Sequence, residues 1–436
     1  MKPEIVENRI PTFVSGGVPC SGAGADAAPR AWPFWKTIPR FDREYHAIDF
    51  ASAVRAVTGS RSKKLTGLED YFAGARGVHF SRSGKESLYL ILRALKIPAG
   101  SRVGVPLYCC EAVFETIAAA GFRPLFLDID LGNYAVSQQC VRQNREQLDA
   151  LVVVHTFGYP VDIDRIRESL GGRDIPIIED CAHSLFSDYK GVPTGSLTEA
   201  SFMTFGVHKP AAAGGGGMAV VHDSSIESDL KELVISLKPD RPLQQIRHSL
   251  TCWARSFAYR RGVYGALLAT AMNGRREADA ARGGRARSSD NHVSMRAGKI
   301  RDVDQVLIGH RVSAFRGSLP ALERNTARIR ESLRGFPICI PDEPGYGRWN
   351  HFMLPARYLS AAQYRAGRRL LLQKRVDTAP LYRNCVRNAR KYGYQGGCPQ
   401  AELAAETVCT VPHYARLTDQ EVEYVGSALR QSAQVS

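Results

Sequence analysis

Apolar residues between positions 75 and 222 occur in short runs, and stretches with helical spacing separate these runs. The runs fall at 78–80, 103–105, 124–127, 151–154, 175–178, 200–205 and 218–221. Strands that are apolar on both faces and alternate with helices are typical of a parallel or mixed sheet with helices on its two sides. The pattern therefore predicts an α/β domain in this part of the chain.

The pattern divides the whole chain into five predicted parts. These are an irregular, Gly/Ala/Pro-rich N-terminal arm (1–45), a large α/β domain (46–222), a basic insertion of helix and loop (223–300), a long helix that links the domains (301–335) and a smaller C-terminal α+β domain (336–436). In the smaller domain the spacing predicts a strand at 351–355 and helices at 361–374 and 419–431.

Composition places the chain among globular proteins. It has 436 residues, of which 44% are hydrophobic and 23% charged. The N-terminus has no apolar region of the secretory kind, and no apolar run reaches the roughly 20 residues that span a bilayer. Ten cysteines are scattered without a CxxC pair. We therefore expect reduced thiols, a cytoplasmic location and no metal site.

The formal charge of +15 leaves two interpretations open. One is binding to nucleic acid or to a membrane surface, and the other is a site for phosphorylated ligands. Much of the excess lies at 255–287, where the arginines at 275, 276, 282, 285 and 287 lack interleaved aromatic residues. This favours a solvated loop, so we expect no nucleic-acid partner, while membrane-surface association stays an alternative.

Asp180 follows the predicted strand at 175–178, in the text IIEDCAHS. The carboxyl ends of parallel strands face the ligand crevice of such a sheet. A carboxylate at that place can hold a proton on a heterocyclic nitrogen. A helix N-cap or loop aspartate is the alternative interpretation.

Lys209 stands between the predicted strand at 200–205 and four glycines at 214–217. A solvated surface lysine is one interpretation. The combination of strand, lysine, glycine run and second strand favours the other, a partly desolvated lysine. Such a lysine loses its proton more easily, and the neutral amine forms an imine with an aldehyde cofactor.

Ser83, Gly84 and Lys85 open a helix after the short run at 78–80. Backbone N–H groups at the start of a helix bind phosphate, and Lys85 can add a charge, although Ser-Gly is also ordinary capping. Together with Asp180 and Lys209, this gives the three parts that pyridoxal 5′-phosphate (PLP) requires, in the chain order of fold-type-I PLP enzymes.

Several ordered motifs resemble the DegT/StrS-type sugar aminotransferases. IIEDCAHSLFSDYKGVPTGS is similar to that family's IEDxAQAxGAxYKGxxxGS, and TFGVHKPAAAGGGGMAV to its FSFHPTKNITTGEGGMVV. The resemblance runs from about residue 45 to the C-terminus, with a poor fit between 224 and 300. It implies the fold-type-I architecture of PLP enzymes, with a mixed, mostly parallel sheet between helices and a smaller α+β domain.

The resemblance also implies roles for individual residues. Lys209 would carry the cofactor and move protons, Asp180 would pair with the pyridine nitrogen, and His183 would lie beside the ring. Gly84, Lys85 and Thr204 would contact the phosphate. The implied enzyme is a homodimer that moves an amino group, from glutamate in many members, to a nucleotide-activated ketosugar or a similar carbonyl compound in polysaccharide or secondary-metabolite biosynthesis.

The chain departs from the family at several positions. Lys85 replaces a threonine, Gly215 replaces the glutamate of the glycine run, and Cys110 stands where an aromatic residue stacks on the cofactor ring. A catalytically degenerate PLP-binding protein and a polyanion- or membrane-surface-binding protein therefore stay as alternatives. A minority branch that replaces the lysine by histidine acts as a dehydratase. Lys209 argues against that branch, although His208 lies next to it.

Overall fold

A seven-stranded sheet forms the centre of the α/β region. The computed structural model describes residues 33–42, 45–58, 67–268, 295 and 297–435. Most of the predicted N-terminal arm and the arginines between 275 and 287 lie outside these residues.

The strands and helices have the following bounds. The strands are β1 (Gly77–Ser81), β2 (Arg102–Pro106), β3 (Arg123–Leu127), β4 (Ala150–Val154), β5 (Ile177–Asp180), β6 (Asp188–Tyr189), β7 (Val192–Pro193), β8 (Ala200–Thr204), β9 (Gly217–Val221), β10 (Ile338–Cys339), β11 (Gly347–Arg348), β12 (Leu354–Tyr358) and β13 (Val408–Val411). The helices are α1 (Ala47–Thr58), α2 (Leu68–Tyr71), α3 (Gly84–Ala94), α4 (Glu111–Ala119), α5 (Gln138–Asn144), α6 (Ile163–Ser169), α7 (Ser224–Ile235), α8 (Pro242–Phe257), α9 (261–268), α10 (Asp302–Ser332), α11 (Ala361–Gln373), α12 (Cys385–Ala389), α13 (Pro399–Thr407) and α14 (Asp419–Ala433).

The large sheet has the strand order β1-β9-β8-β5-β4-β2-β3. Strands β3, β2, β4, β5 and β8 are parallel, whereas β9 and β1 pair antiparallel at one edge. Every residue of β4, β5 and β9 is buried, as expected of strands with both faces covered. The predicted mixed, mostly parallel sheet between helices is confirmed. The carboxyl ends of β5 and β8 therefore meet at the same edge.

Helix α10 contributes to two apolar clusters. Its first half places Ile308 and Phe315 against Phe205 below the large sheet, and its second half places Ile329 against Leu354 of a three-stranded sheet, β10-β12-β13. This helix begins and ends within three residues of the predicted bounds. The division of the chain into domains stays a prediction. Within the described ranges, no helix combines the length and the apolar character needed to cross a bilayer.

The strand of the small sheet begins three residues later than the sequence predicted. It was expected at 351–355 and is found at Leu354–Tyr358. Residues 350 and 351 are irregular because the side chain of Asn350 donates to the carbonyls of His183 and Leu185, both at 2.8 Å. His351 follows with a left-handed φ of 52°. A tertiary contact thus overrides the apolar pattern.

The start of α3 lies directly on the backbone of β8 and β9. A Cβ added to Gly217 would lie 2.2 Å from the carbonyl carbon of Ser83 and 2.4 Å from the nitrogen of Gly84. A Cβ on Gly84 would lie 2.5 Å from Cβ of Thr204. Because these neighbours are backbone or β-carbon atoms, no side-chain rotation relieves the contact. Only glycines permit this approach of the helix to the sheet.

We expect Gly217→Ala to lower the free energy of unfolding by roughly 1–3 kcal/mol, because an added methyl group overpacks a closed contact. Gly309, inside α10, has no atom within 4 Å of an added Cβ. There, Gly309→Ala is expected to raise stability by about 0.5–1 kcal/mol through helix propensity. Urea unfolding of both variants measures the two signs. An unchanged midpoint for Gly217→Ala would show that the helix and the sheet are not held this closely.

Candidate active site

Lys209 lies in the loop between β8 and β9, beside the edge where the parallel strands end. Its Nζ is 3.0 Å from Nε2 of His183. The preceding residue, His208, has a left-handed φ of 61° and different surroundings. Its ring stacks on Phe41 with centroids 4.0 Å apart, and its Nε2 is 3.2 Å from the hydroxyl of Tyr259. The lysine, rather than the histidine beside it, contacts the predicted site.

Asp180 is the last residue of β5 and is only 5% exposed. Its Oδ1 accepts a hydrogen bond from the N–H of Ala182 at 2.9 Å. Its Oδ2 receives no hydrogen bond from any residue that the structure describes. Burial raises the pKa of the Asp180 carboxyl above its usual range, while the Ala182 N–H and the charge of Lys209 act in the opposite direction. The Asp180 side chain is therefore buried as a whole but keeps one oxygen that can accept a hydrogen bond from a ligand.

His183 lies in the turn after β5 and is buried. Burial, together with the charge of Lys209, holds the pKa of its imidazole well below the usual range. The ring is therefore neutral near pH 7, and Nε2 can accept a hydrogen bond from the Lys209 ammonium group. The side chain of Asn350 donates a hydrogen bond to the carbonyl of His183 at 2.8 Å and thereby stabilises the turn.

The N-terminus of α3 forms the third side of the site. Ser83 caps the helix, because its Oγ accepts from the N–H of Glu86. The first N–H groups of a helix have no acceptor within it, and they favour an anion. Gly84 brings this helix end against Thr204 at the end of β8. The structure therefore brings together two of the three residues predicted to contact phosphate.

Lys85 has a different partner from the one that the sequence suggested. Its Nζ lies 2.6 Å from Oε1 of Glu115 on α4, and both side chains are about 30% exposed, at 31% and 28%. Cys110 is exposed and precedes α4 as its N-cap residue. The phosphate role of Lys85 stays a prediction, and the ion pair gives this lysine a second role between two helices.

The glycine run after Lys209 rests on an ionic cluster of the insertion and α10. A Cβ on Gly215 would lie 2.5 Å from Oδ2 of Asp304, and that carboxylate also contacts His248 at 3.1 Å and Arg301 at 3.3 Å. The Asp304 carboxylate thus occupies the space that a side chain at 215 would need. Sequence reasoning missed this cluster, because its members are distant along the chain.

His155 is a structural residue. The N–H of Val161 donates to its Nδ1 at 3.0 Å, so the ring proton lies on Nε2, which is 2.9 Å from Glu179. Glu179 also accepts from the backbone N–H groups of residues 195, 197 and 198. Cys181 completes a group of potential metal ligands. Because the hydrogen bonds already use the histidine and the carboxylate, the group carries no indication of a metal.

A cavity of about 320 Å³ reaches Lys209 from the side of the small sheet. Its wall includes three arginines, Arg40, Arg311 and Arg416. Each of them pairs with a carboxylate: Arg40 with Asp377 at 2.6 Å, Arg311 with Asp49 at 2.6 Å and Arg416 with Asp42 at 3.6 Å. Among these three arginines, only Nε of Arg311 is buried without a partner in the described part of the chain. The sequence gave no local signal for these arginines, because they come from three distant segments.

Known proteins resemble this chain both in sequence and in fold. Residues 46–256 match the profile of the DegT/DnrJ/EryC1/StrS aminotransferase family. The matched stretch is 211 of the 436 residues, just under half of the chain, and over it the sequence is similar to that family. GDP-perosamine synthase of Escherichia coli O157:H7 is 31% identical over 171 residues, which are 38% of this chain and 47% of that protein. The chain spans about half the length of the first curated relatives that it matches.

Two further matches extend over nearly the whole chain. The dTDP-4-dehydro-2,6-dideoxy-D-glucose 3-dehydratase of Saccharopolyspora spinosa is 23% identical and covers 96% of this chain and 87% of its own length. The structure of DesV of S. venezuelae, in complex with a ketimine intermediate, superposes with a TM-score of 0.69 at 20% identity, covering 92% of this chain and 99% of its own. The second match establishes the fold.

Enzymes of this family depend on PLP, which is the cofactor that the sequence predicted. The residues of the site fit it. Asp180 offers a buried carboxylate oxygen without a donor, and the contact of Gly84 with Thr204 leaves the first N–H groups of α3 at the sheet edge. Lys209 supplies an amine that contacts His183 and whose charge acts on Asp180.

The His248–Asp304 pair predicts a pH-dependent contribution to stability. Burial lowers the pKa of His248, but the hydrogen bonds and charge interactions with Asp304 and Cys252 together outweigh burial and raise this pKa from 6.5 to about 9. Because the folded pKa is the higher one, the stabilisation is complete below pH 6.5 and is lost as the pH rises through 9. We expect His248→Gln to cost about 1–3 kcal/mol at pH 6 and little at pH 10 in urea unfolding.

The exposed His310 provides the control, since His310→Gln should change stability little at either pH. An equal loss at pH 6 and pH 10 for His248→Gln would contradict a charged pair and indicate lost packing alone.

Proposed function

We propose that this protein is a PLP-dependent aminotransferase in which Lys209 is the catalytic residue. The contact of the Lys209 amine with neutral His183, beside the buried Asp180 carboxylate, carries the proposal. These three side chains meet at the edge of the sheet where parallel strands end, which is where open α/β sheets bind ligands.

Each part of PLP has a partner in this arrangement. Asp180 would accept the ring N–H, Thr204 and the first turn of α3 at Gly84 would hold the phosphate, and His183 would lie beside the ring. Lys85 adds positive charge near the same helix end. When bound, PLP supplies an aldehyde carbon that reacts with amines and a conjugated ring that accepts an electron pair from the substrate carbon.

Lys209 has two tasks in this proposal. As a neutral amine it binds the cofactor, and as a released amine it moves a proton between the substrate carbon and the cofactor. The imidazole of His183 accepts a hydrogen bond from the lysine amine and thereby fixes the position of Nζ. Because the pKa of His183 is low, this histidine does not compete as a second cation.

Asp180 has the task of keeping the ring nitrogen protonated. A carboxylate buried to 5% exposure is costly unless a positive partner meets it. A pyridinium N–H at Oδ2 would supply that partner and would offset the burial that raises the pKa of Asp180. The cofactor and the carboxylate would therefore stabilise each other's charged forms.

We propose the cavity beside Lys209 as the place of the carbonyl acceptor. Its volume of about 320 Å³ lies at the lower end of small-molecule sites. An anionic group such as a diphosphate would bind its arginines in competition with the carboxylates that pair with them here. A nucleotide-activated ketosugar, or a similar carbonyl compound of polysaccharide or secondary-metabolite synthesis, fits these features. Glutamate is the proposed amino donor, and a cytoplasmic homodimer is the proposed assembly.

Dehydration of a ketosugar is a second candidate, because a dehydratase aligns with 96% of this chain. In the dehydratase branch of the family that the sequence resembles, a histidine replaces the lysine, and Lys209 argues against that branch. Here Lys209 contacts His183, while the ring of His208 stacks on Phe41. The geometry therefore favours amino transfer. A degenerate PLP-binding protein would keep the cofactor residues and lose turnover.

The central test is the absorbance spectrum of the purified protein with added PLP. We expect the wild type to show a visible-range band, and Lys209→Ala to lose it, because no other amine of the described residues contacts His183. Addition of glutamate should shift the wild-type band to that of the amine form of the cofactor. Lys190→Ala, which changes an exposed lysine paired with Asp164, provides the matched control and should behave as wild type.

The remaining outcomes separate the candidates. A Lys209-dependent band that ignores glutamate would point to another donor or to a degenerate site, and a ketosugar consumed without an amino donor would favour dehydration. Absence of any Lys209-dependent band would overturn the proposal and would favour a role for the basic insertion at a polyanion or membrane surface.

Asp180→Asn should keep the Lys209-dependent band and slow the reaction with glutamate by roughly 10²–10⁴-fold, because an uncharged amide does not hold the ring nitrogen protonated. Single-turnover absorbance measurements check this rate. A rate within threefold of wild type would show that Asp180 does not contact the ring nitrogen.

A further inference from the structure

His183 and Tyr382 form a pair of nearly parallel rings that are farther apart than rings in direct contact. The rings of His183 and Tyr382 are nearly parallel, at 19°, and their centroids are 6.4 Å apart. Rings in direct contact lie about 3.5 Å apart, so two rings that enclose a third are separated by about 7 Å. The observed centroid separation, which is an upper limit on the gap between the two ring planes, is thus roughly 0.6 Å short of the width that one intervening flat ring requires.

Tyr382 lies where the site lacks an aromatic residue. Its neighbours include Cys109, Cys110 and Asp180, which act with burial to raise the pKa of its hydroxyl well above the usual range. Cys110 itself is exposed and offers no flat face. Tyr382, which belongs to the C-terminal part of the chain, therefore brings an aromatic ring close to Cys110, the N-cap residue of α4.

Neighbouring contacts hold Tyr382 in this position. Its backbone has a left-handed φ of 55°, which is unfavourable for a residue with a bulky side chain. The hydroxyl of Tyr108 donates to the carbonyl of Leu381 at 3.1 Å, and the two tyrosine rings meet edge to face at 5.3 Å. Strained backbone that its surroundings fix in this way is frequent at ligand sites.

We propose that Tyr382 and His183 enclose the pyridine ring of the cofactor, so that Tyr382 replaces the stacking aromatic residue that Cys110 cannot provide. The inference rests on the proposed function, because it requires PLP beside His183. The hydroxyl of Tyr382 has no hydrogen bond within the described residues, so the flat face of the ring is the feature that matters. A small outward shift of either ring gives the full width for the cofactor.

The test measures binding of pyridoxine 5′-phosphate to the apoprotein by calorimetry. This compound has the ring and phosphate of PLP with an alcohol in place of the aldehyde, so its affinity reports non-covalent contacts alone. We expect Tyr382→Leu to raise its Kd roughly three- to tenfold, the size of one aromatic stacking contact, and Tyr382→Phe to leave it within twofold. Adding Cys110→Phe to the leucine variant should recover part of the affinity.

Controls address folding. Tyr392, also half-buried and packed on the same apolar cluster, gives the matched variant Tyr392→Leu, whose Kd should equal that of wild type. Tyr382→Trp offers a measurement that does not depend on the leucine variant. Stacking predicts that saturating ligand quenches the added tryptophan emission, and unchanged emission would overturn the proposal.

The outcomes separate the stacking role of Tyr382 from the proposed function. If wild type shows the Lys209-dependent band with PLP but Tyr382→Leu has an unchanged Kd, the stacking role is wrong and the proposed function stands. If wild type binds neither PLP nor pyridoxine 5′-phosphate, both proposals fail together.

Discussion

Two consecutive buried carboxylates at the end of β5 set the conditions for the site. Glu179 is fully buried and Asp180 is 5% exposed, although an isolated buried carboxylate is strongly unfavourable. Because successive residues of a strand point to opposite faces, the two meet different surroundings. Glu179 accepts hydrogen bonds from His155 and from three backbone N–H groups, so its charge is met within the fold. Asp180 has one donor, and its second oxygen faces the site without one.

Within one strand, Glu179 thus has a structural role, whereas Asp180 keeps an oxygen available to a ligand. The saturated hydrogen bonds of Glu179 anchor the loop at 195–198 and the ring of His155, which fixes the end of β5 in place. Because the end of β5 is held in place, Asp180 has a fixed position beside the loop that carries Lys209. Electrostatic stabilisation of a ligand works best when the charged groups are already arranged, because reorganisation then costs little. The unsatisfied Asp180 oxygen is tolerable for the same reason, since a positively charged ring would complete it.

The large sheet, and the positions of Asp180 and Lys209 at its edge, could be predicted because their signals are local. An apolar run of five residues marks a buried strand, and a lysine between a strand and a glycine run is recognisable without tertiary information. Tyr382 could not be predicted, because it reaches Cys110 from about 270 positions away along the chain. The Lys85–Glu115 pair and the shift of the small-sheet strand have the same origin. Each depends on a contact between segments that the pattern of either segment does not reveal.

Two of the three departures from the family pattern, Cys110 and Gly215, have a residue from a distant segment beside them, whereas Lys85 pairs with Glu115. Cys110 lacks an aromatic ring, and Tyr382 places one beside it. Gly215 lacks a carboxylate, and Asp304 occupies the space above its Cα, where a larger side chain would collide with it. At both positions a side chain from elsewhere in the chain thus fills the space beside the altered residue. With Tyr382 stacked on the cofactor as proposed, the change at Cys110 would not cost cofactor binding, and this would favour a working site over a degenerate one.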